Sequence, residues 1–248
     1  MRRIEKTVVF SGGDTKTGTT MISLAAAEEL AKEGCLVLYI CAGEYPVNEF
    51  LPRDLMSASE EILAGLQEDM VSEQYLKQAA VTNRGVDILR GIRNGSRGLY
   101  FTQEDLEEIC RRAETVWDWI VVDGGCVLSA EGRSVSHTSF GQSWMVITQQ
   151  EQAVCRFRTW QSMVSETDER KIRYVVNKYN DSGAFYNLRE MAELLHCEET
   201  ELLPVPYVPY GWQAEAERET LLNFRLFRKA IRRLTARIQE EGADGRKV

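Results

Sequence analysis

The sequence predicts an α/β protein built on one doubly wound, mostly parallel sheet flanked by helices. Two observations carry this. Short β-rich runs alternate with helical stretches along the chain, and most of the runs are continuously apolar rather than alternating. Continuous apolar runs mark strands covered on both faces. Strand–helix–strand repetition implies right-handed crossovers into a parallel sheet.

The first strand is TVVF (7–10), followed by the Gly-rich stretch SGGDTKTGTT (11–20) and a helix over 19–33. Gly34 suits the left-handed position past the end of that helix. The second strand is LVLYIC (36–41). Residues 42–85 form the widest gap between strands; acidic helical segments such as SASEEILAGLQEDM make it an excursion on one face, not a second domain. VDIL (86–89) is the third strand, and a helix over 102–114 opens with Thr102 and Asp105 in capping-box spacing. The strands WIVVD (119–123), WMVIT (144–148), IRYVV (172–176) and LLPV (202–205) follow, with helices near 151–166, 185–195 and 213–238. No repeat or low-complexity stretch intervenes, so a single domain over 1–248 is expected.

Composition narrows the function. Lys+Arg number 30 against 38 Asp+Glu, a net charge of −8, which argues against a nonspecific nucleic-acid binder. No apolar run approaches the ~18–20 residues that span a bilayer, and only TVVF follows the basic start before Ser-Gly-Gly, too little for a signal-peptide core. The six cysteines never reach C-x-x-C spacing and the histidines are only His137 and His196, so a zinc site is not expected. Buried thiols of a cytoplasmic protein are expected instead. Trp117 and Trp119 are read as packing residues, and Cys41 as a buried strand end.

A strand running through a Gly-rich turn into a helix N-terminus makes an anion site, because backbone N–H groups and the helix dipole converge there. Against G-x-x-x-x-G-K-[ST], residues 13–20 read G-D-T-K-T-G-T-T: Gly13, Gly18 and Thr20 fit, but Thr19 stands where lysine belongs. Using Lys16-Thr17 as the Lys-Thr pair would need glycines at Phe10 and Thr15, so that register fails.

Further motifs follow in order: the Ala-rich helix ISLAAAEELAKEG, the strand VLYICAGEYP, the lead WDWIVVDGG (117–125), RYVVNKYND (173–181) and LLPVPYVPYGWQAEAERETLL (202–222). Together they resemble the ParA/MinD group of deviant P-loop ATPases. Within it, VDILRGIRNGSRGLYFTQEDLEEICRRAETVWDWIVVDGG is similar to the middle region of the TadZ/CpaE proteins of tight-adherence pilus systems.

The resemblance implies a P-loop NTPase-like fold and places family roles on this chain. The P-loop lysine falls on Thr19 and the signature lysine that crosses a dimer on Asp14. The two carboxylates of D-x-D fall on Cys41 and Gly43. What remains is a binding shell for ATP or ADP with Mg²⁺: the backbone of Gly13 to Thr19, Thr20 and Asp123 for the metal, and Asn177, Pro206 and Tyr207 on the adenine side. Lys16 is a candidate substitute phosphate ligand. Plain structural readings stand beside these: a Gly-rich turn binding no cofactor, Thr20 as a helix-start residue, Asp123 capping a turn with Gly124 and Gly125, and Asn177 steadying the turn at 178–181. The resemblance also implies a homodimer that acts as a localisation or assembly factor for a pilus or secretion machine, with hydrolysis lost. An active ATPase relying on Lys16 and a DNA partition factor are the alternatives.

The segment at about 221–240 carries Phe224, Phe227, Ile231, Leu234 and Ile238 as one apolar stripe, with Arg225, Arg228, Lys229, Arg232, Arg233 and Arg237 around it. Two readings stay open. The helix packs its stripe on the sheet and offers a basic face to an acidic partner, or it lies on the inner membrane surface.

Overall fold

The computed structural model describes residues 4–42, 62, 65–66, 71–89, 102–128, 139–163, 172–182 and 186–245. Eight strands form one sheet: β1 (Ile4–Gly12), β2 (Val37–Cys41), β3 (Val81–Asn83), β4 (Val86–Leu89), β5 (Trp119–Cys126), β6 (Phe140–Ile147), β7 (Arg173–Tyr179) and β8 (Leu202–Pro206). Their order is β3-β4-β2-β5-β1-β6-β7-β8. Every pairing is parallel except β3 with β4. The predicted fold class is the observed one. β2 and β6 are buried along their whole length, as two-sided burial of apolar strands requires.

β3 lies within the 42–85 gap and was not among the expected strands. It returns antiparallel onto β4 through Arg84 and Gly85, whose φ of 51° and 81° make the tight turn that matches strand twist. The preceding helix α2 (Glu73–Ala79) is capped by Ser72. Residues 43–61, 63–64 and 67–70, with most of the acidic segment, lie outside the described residues.

α1 (Thr19–Lys32) and the last helix, α7 (Arg225–Gly245), cover one face of the sheet, with Ile22, Ala26 and Leu30 meeting Phe227, Ile231, Leu234 and Ile238 in one buried cluster. The opposite face takes α2 and α3 (Gln103–Ala113) over β2 and β5, and α4 (Glu151–Met163) and α5 (Leu188–Leu195) over β6 and β7. The Thr102/Asp105 capping box forms, and Asn187 with Glu190 builds a second one at α5. Trp117 and Trp119 are both buried, and Trp117 donates its indole N–H to Asp87 at 2.9 Å.

The expected helix over 213–238 is two helices. α6 (Gly211–Glu217) ends at Arg218, which takes the left-handed conformation, and a short 3-10 turn at Leu221–Asn223 leads into α7. The break lets Thr220 reach back and donate to Glu28 of α1 at 2.6 Å. The stripe of α7 from Phe227 to Ile238 is buried on the sheet and α1, at roughly 1.5–3 kcal/mol of transfer free energy per large side chain. Among the described residues this stripe therefore faces the fold, as the packing reading expects. Arg232 of α7 pairs with the buried Glu29, and Arg237 donates to the Thr200 carbonyl.

Candidate functional site: a phosphate loop tied from within

β1 is the central strand, so its carboxyl end opens between those of β5 and β6, where parallel sheets hold ligands. The chain turns there because two glycines permit it. A Cβ on Gly12 would lie 2.6 Å from the Thr19 hydroxyl and 2.7 Å from that of Thr17. Gly18, with φ of 90°, turns the chain into α1, and a Cβ there would lie 2.4 Å from the Asn177 amide nitrogen. The Gly13 N–H donates to the Val146 carbonyl at 2.9 Å and anchors the loop to β6.

Several loop side chains turn inward. Thr19 is buried, and its hydroxyl sits 3.1 Å from that of Thr17. Asp14 is also buried; it accepts the Thr15 N–H at 2.7 Å and the Nε of Arg156 on α4 at 2.9 Å. Asn177, at the end of β7, is 5% exposed and donates to the Thr17 carbonyl at 2.8 Å. The next residue, Lys178, donates its Nζ to the Lys16 carbonyl at 2.9 Å. Burial, and secondarily the charge of Lys16, pushes the Lys178 ammonium below the ordinary lysine range.

Thr20 and Asp123, the residues expected at a metal, are built differently. Thr20 donates to Asp123 Oδ2 at 2.6 Å, Tyr39 donates to the same oxygen at 3.2 Å, and the Gly125 N–H donates to Oδ1 at 3.1 Å. Burial raises the Asp123 carboxyl above its ordinary range, with these three donors pulling against it. The Tyr39 hydroxyl, 3.0 Å from that of Ser23, is raised well above the usual phenol range, chiefly by burial. Cys41 pairs in register with Asp123 and is fully buried, as expected of a strand end. Gly43 lies outside the described residues.

Thr19 and Asn177 thus meet around Thr17 beside Gly18, and Lys16 is held next to them through its carbonyl, while Thr20 with Asp123 and Gly13 with β6 form separate contacts. Pro206 and Tyr207 lie at the same sheet edge beside β7, where Tyr207 donates its N–H to the Tyr179 carbonyl at 2.9 Å. Sequence reasoning missed Arg156, Lys178, Tyr39 and Ser23. Lys178 stands inside the quoted VNK run and Tyr39 inside a strand read as apolar; Arg156 has no local signal, because only the fold brings α4 to the loop.

A phosphate group fits the backbone of this loop. The N–H groups of Gly18, Thr19 and Thr20 meet no acceptor among the described residues, as expected at the start of a helix with no side-chain cap. The side chains fit it less well, since no loop cation is aimed inward and Asn177 holds the loop. Among the described residues no group of three or more His, Cys, Asp or Glu gathers as for a metal, so Thr20 and Asp123 would hold Mg²⁺ only together with phosphate and water oxygens.

The fold is that of the ParA/MinD-type P-loop ATPases. The chain superposes on a ParA family ATPase from Chlorobium tepidum TLS with a TM-score of 0.79 and 14% identity, covering 94% of this chain and 99% of that one. For the septum site-determining protein MinD complexed with Mg-ADP, from Pyrococcus horikoshii OT3, the values are 0.74 and 15%, over 94% and 96%. For the MinC:MinD cell division protein complex of Aquifex aeolicus they are 0.72 and 16%, over 93% and 96%. No family model and no curated protein matches the sequence.

Proposed function

We propose that this chain is a ParA/MinD-group protein of TadZ/CpaE type: a localisation or assembly factor for a pilus or secretion machine that binds nucleotide weakly and does not hydrolyse it. The carrying observation is the loop itself, with three N–H groups open to an anion at a preformed Thr20–Asp123 contact while the lysine position turns inward as Thr19. In this reading Gly13 to Thr19 cradle phosphates by backbone, Thr20 and Asp123 hold Mg²⁺, and Pro206 and Tyr207 flank the base. Asn177 clamps the loop first and meets a base second.

Magnitudes separate binding from chemistry. A lost charge-assisted phosphate contact costs roughly 1.5–3 kcal/mol, about ten- to a hundredfold in affinity. Losing the water-orienting and charge-stabilising groups costs ~10²–10⁴ in rate for each function, and phosphoryl transfer rests almost wholly on those terms. Hydrolysis therefore fails before binding does. Dimerisation follows the same logic: Asp14 cannot supply a cross-subunit cation and is neutralised within the chain by Arg156, so the homodimer forms without ATP. The protein works in the cytoplasm, at the inner face of the membrane through its partners; among the described residues no helix is long and apolar enough to cross a membrane.

The test is calorimetric titration of the purified chain with ATP and ADP, with and without Mg²⁺, alongside phosphate release and sedimentation. Weak Mg²⁺-dependent binding, no release above background and a dimer without nucleotide are expected. Turnover abolished by Asp123→Ala overturns the reading, and turnover abolished by Lys16→Ala assigns the missing lysine's role to Lys16.

A further inference from the structure

Among the described residues the exposed large hydrophobic side chains are Leu36, Tyr207, Tyr210, Trp212 and Leu226, so all but Leu36 fall within residues 207–226. Trp212 is 71% and Leu226 68% exposed. The Tyr210 ring stacks on Phe224 at 5.6 Å and 9°, which joins the start of α6 to the start of α7. Beside Leu226, on the outward side of α7, stand Arg225, Arg228, Lys229 and Arg233, all exposed and with no side-chain hydrogen bond or ion pair among the described residues. Exposed Trp, Tyr and Arg are the side chains that dominate binding energy at protein interfaces.

We propose that this aromatic and basic surface docks an acidic amphipathic segment of another protein, its carboxylates on the α7 cations and an apolar side chain against Trp212 and Leu226. The proposal goes beyond the phosphate loop and stands whether or not the loop takes a nucleotide.

Charge decides the occupant. The cations lie on a chain of net charge −8, with exposed Glu215 and Glu217 on the neighbouring α6, so an extended polyanion such as a duplex or an anionic bilayer meets carboxylates where it leaves the α7 cations on that side. A short segment meets only the cations within a Debye length, ~8 Å at physiological salt. Arg225 to Arg233 spans ~12 Å of helix, the footprint of two or three helical turns. A bilayer would also need an apolar stripe, and that of α7 is buried. A second copy seated with its α7 against this α7 about a two-fold axis would set these cations against the same cations of its partner.

The test places a benzophenone amino acid at position 212 of the full chain in the cells that express it, with position 104 on α3 as the control site, and sequences the cross-linked peptide. A peptide with at least three carboxylates within about 12 residues is expected from position 212 alone. A synthetic copy of it binds the purified chain, and Trp212→Ser weakens that binding at least about tenfold. Arg225→Glu with Lys229→Glu weakens it similarly, and Glu→Lys changes in the peptide restore binding to that double variant. Far-ultraviolet circular dichroism confirms that the variants stay folded. An adduct with a second copy, a lipid or a nucleic acid overturns the proposal, as does no adduct or a peptide indifferent to the substitutions.

Discussion

Asn177→Ala separates a loop clamp from a base-recognition residue. In the clamp reading, the Asn177 side chain is buried at 5% exposure and supplies the hydrogen bond that the Thr17 carbonyl receives among the described residues, at 2.8 Å. Removing it takes away a neutral hydrogen bond and leaves a shielded acceptor unpaired, together about 2 kcal/mol. For a chain of this size, melting shifts by roughly 2–4 °C per kcal/mol, so the ligand-free protein should melt about 4–8 °C lower. Gly18 provides an internal check. Its φ of 90° costs an alanine about 1–2 kcal/mol in any background, while the approach of 2.4 Å to the Asn177 amide adds a clash only where Asn177 is present. Gly18→Ala must therefore cost less in the Asn177→Ala protein than in the parent. Thermal melts of the four proteins without nucleotide read both quantities. An Asn177→Ala melting temperature within about 1 °C of the parent, with an altered preference among ATP, GTP and CTP, would refute the clamp.

Arg156→Ala should lower the melting temperature by stranding the buried Asp14 carboxylate, and adding Asp14→Asn should restore most of it; a double variant no more stable than Arg156→Ala argues against the pairing. Glu28 is pushed above its ordinary value of 4.5, chiefly by burial and against its Thr220 and Arg84 contacts, so the folded state holds this proton more tightly than the unfolded state. Its stabilising share is full below pH 4.5 and is lost as pH rises through the folded value. Glu28→Gln should therefore gain stability relative to the parent as pH rises from 4 to 7 in urea titrations, and a gap that narrows with pH would contradict this.

Most of the sheet was legible because its strands are apolar on both faces, a pattern that needs no knowledge of partners. What stayed illegible depended on contacts between distant segments. The edge strand β3 has only three residues, and its turn is signalled by Gly85 alone. The 213–238 segment keeps helical periodicity through Arg218, and only the pull of Glu28 on Thr220 marks the break. At the site, the loop and the Thr20–Asp123 pair follow from a motif and its order, whereas Arg156 reaches Asp14 from 142 residues away.

The inward turn of these side chains has one physical sense. A loop that closes on a ligand needs side chains free to meet it, and its folded shape is then completed by binding. Here Thr19 meets Thr17, Asp14 meets Arg156, and Asn177 and Lys178 hold the outer carbonyls. These contacts fix the loop from within the chain, and a ligand can shift an equilibrium only by its differential affinity for two states. What stays open to an anion is backbone N–H, which reads phosphate and not base. Under the function proposed above, assembly is then set by the protein's surfaces, and nucleotide at most adds stability to a form already present.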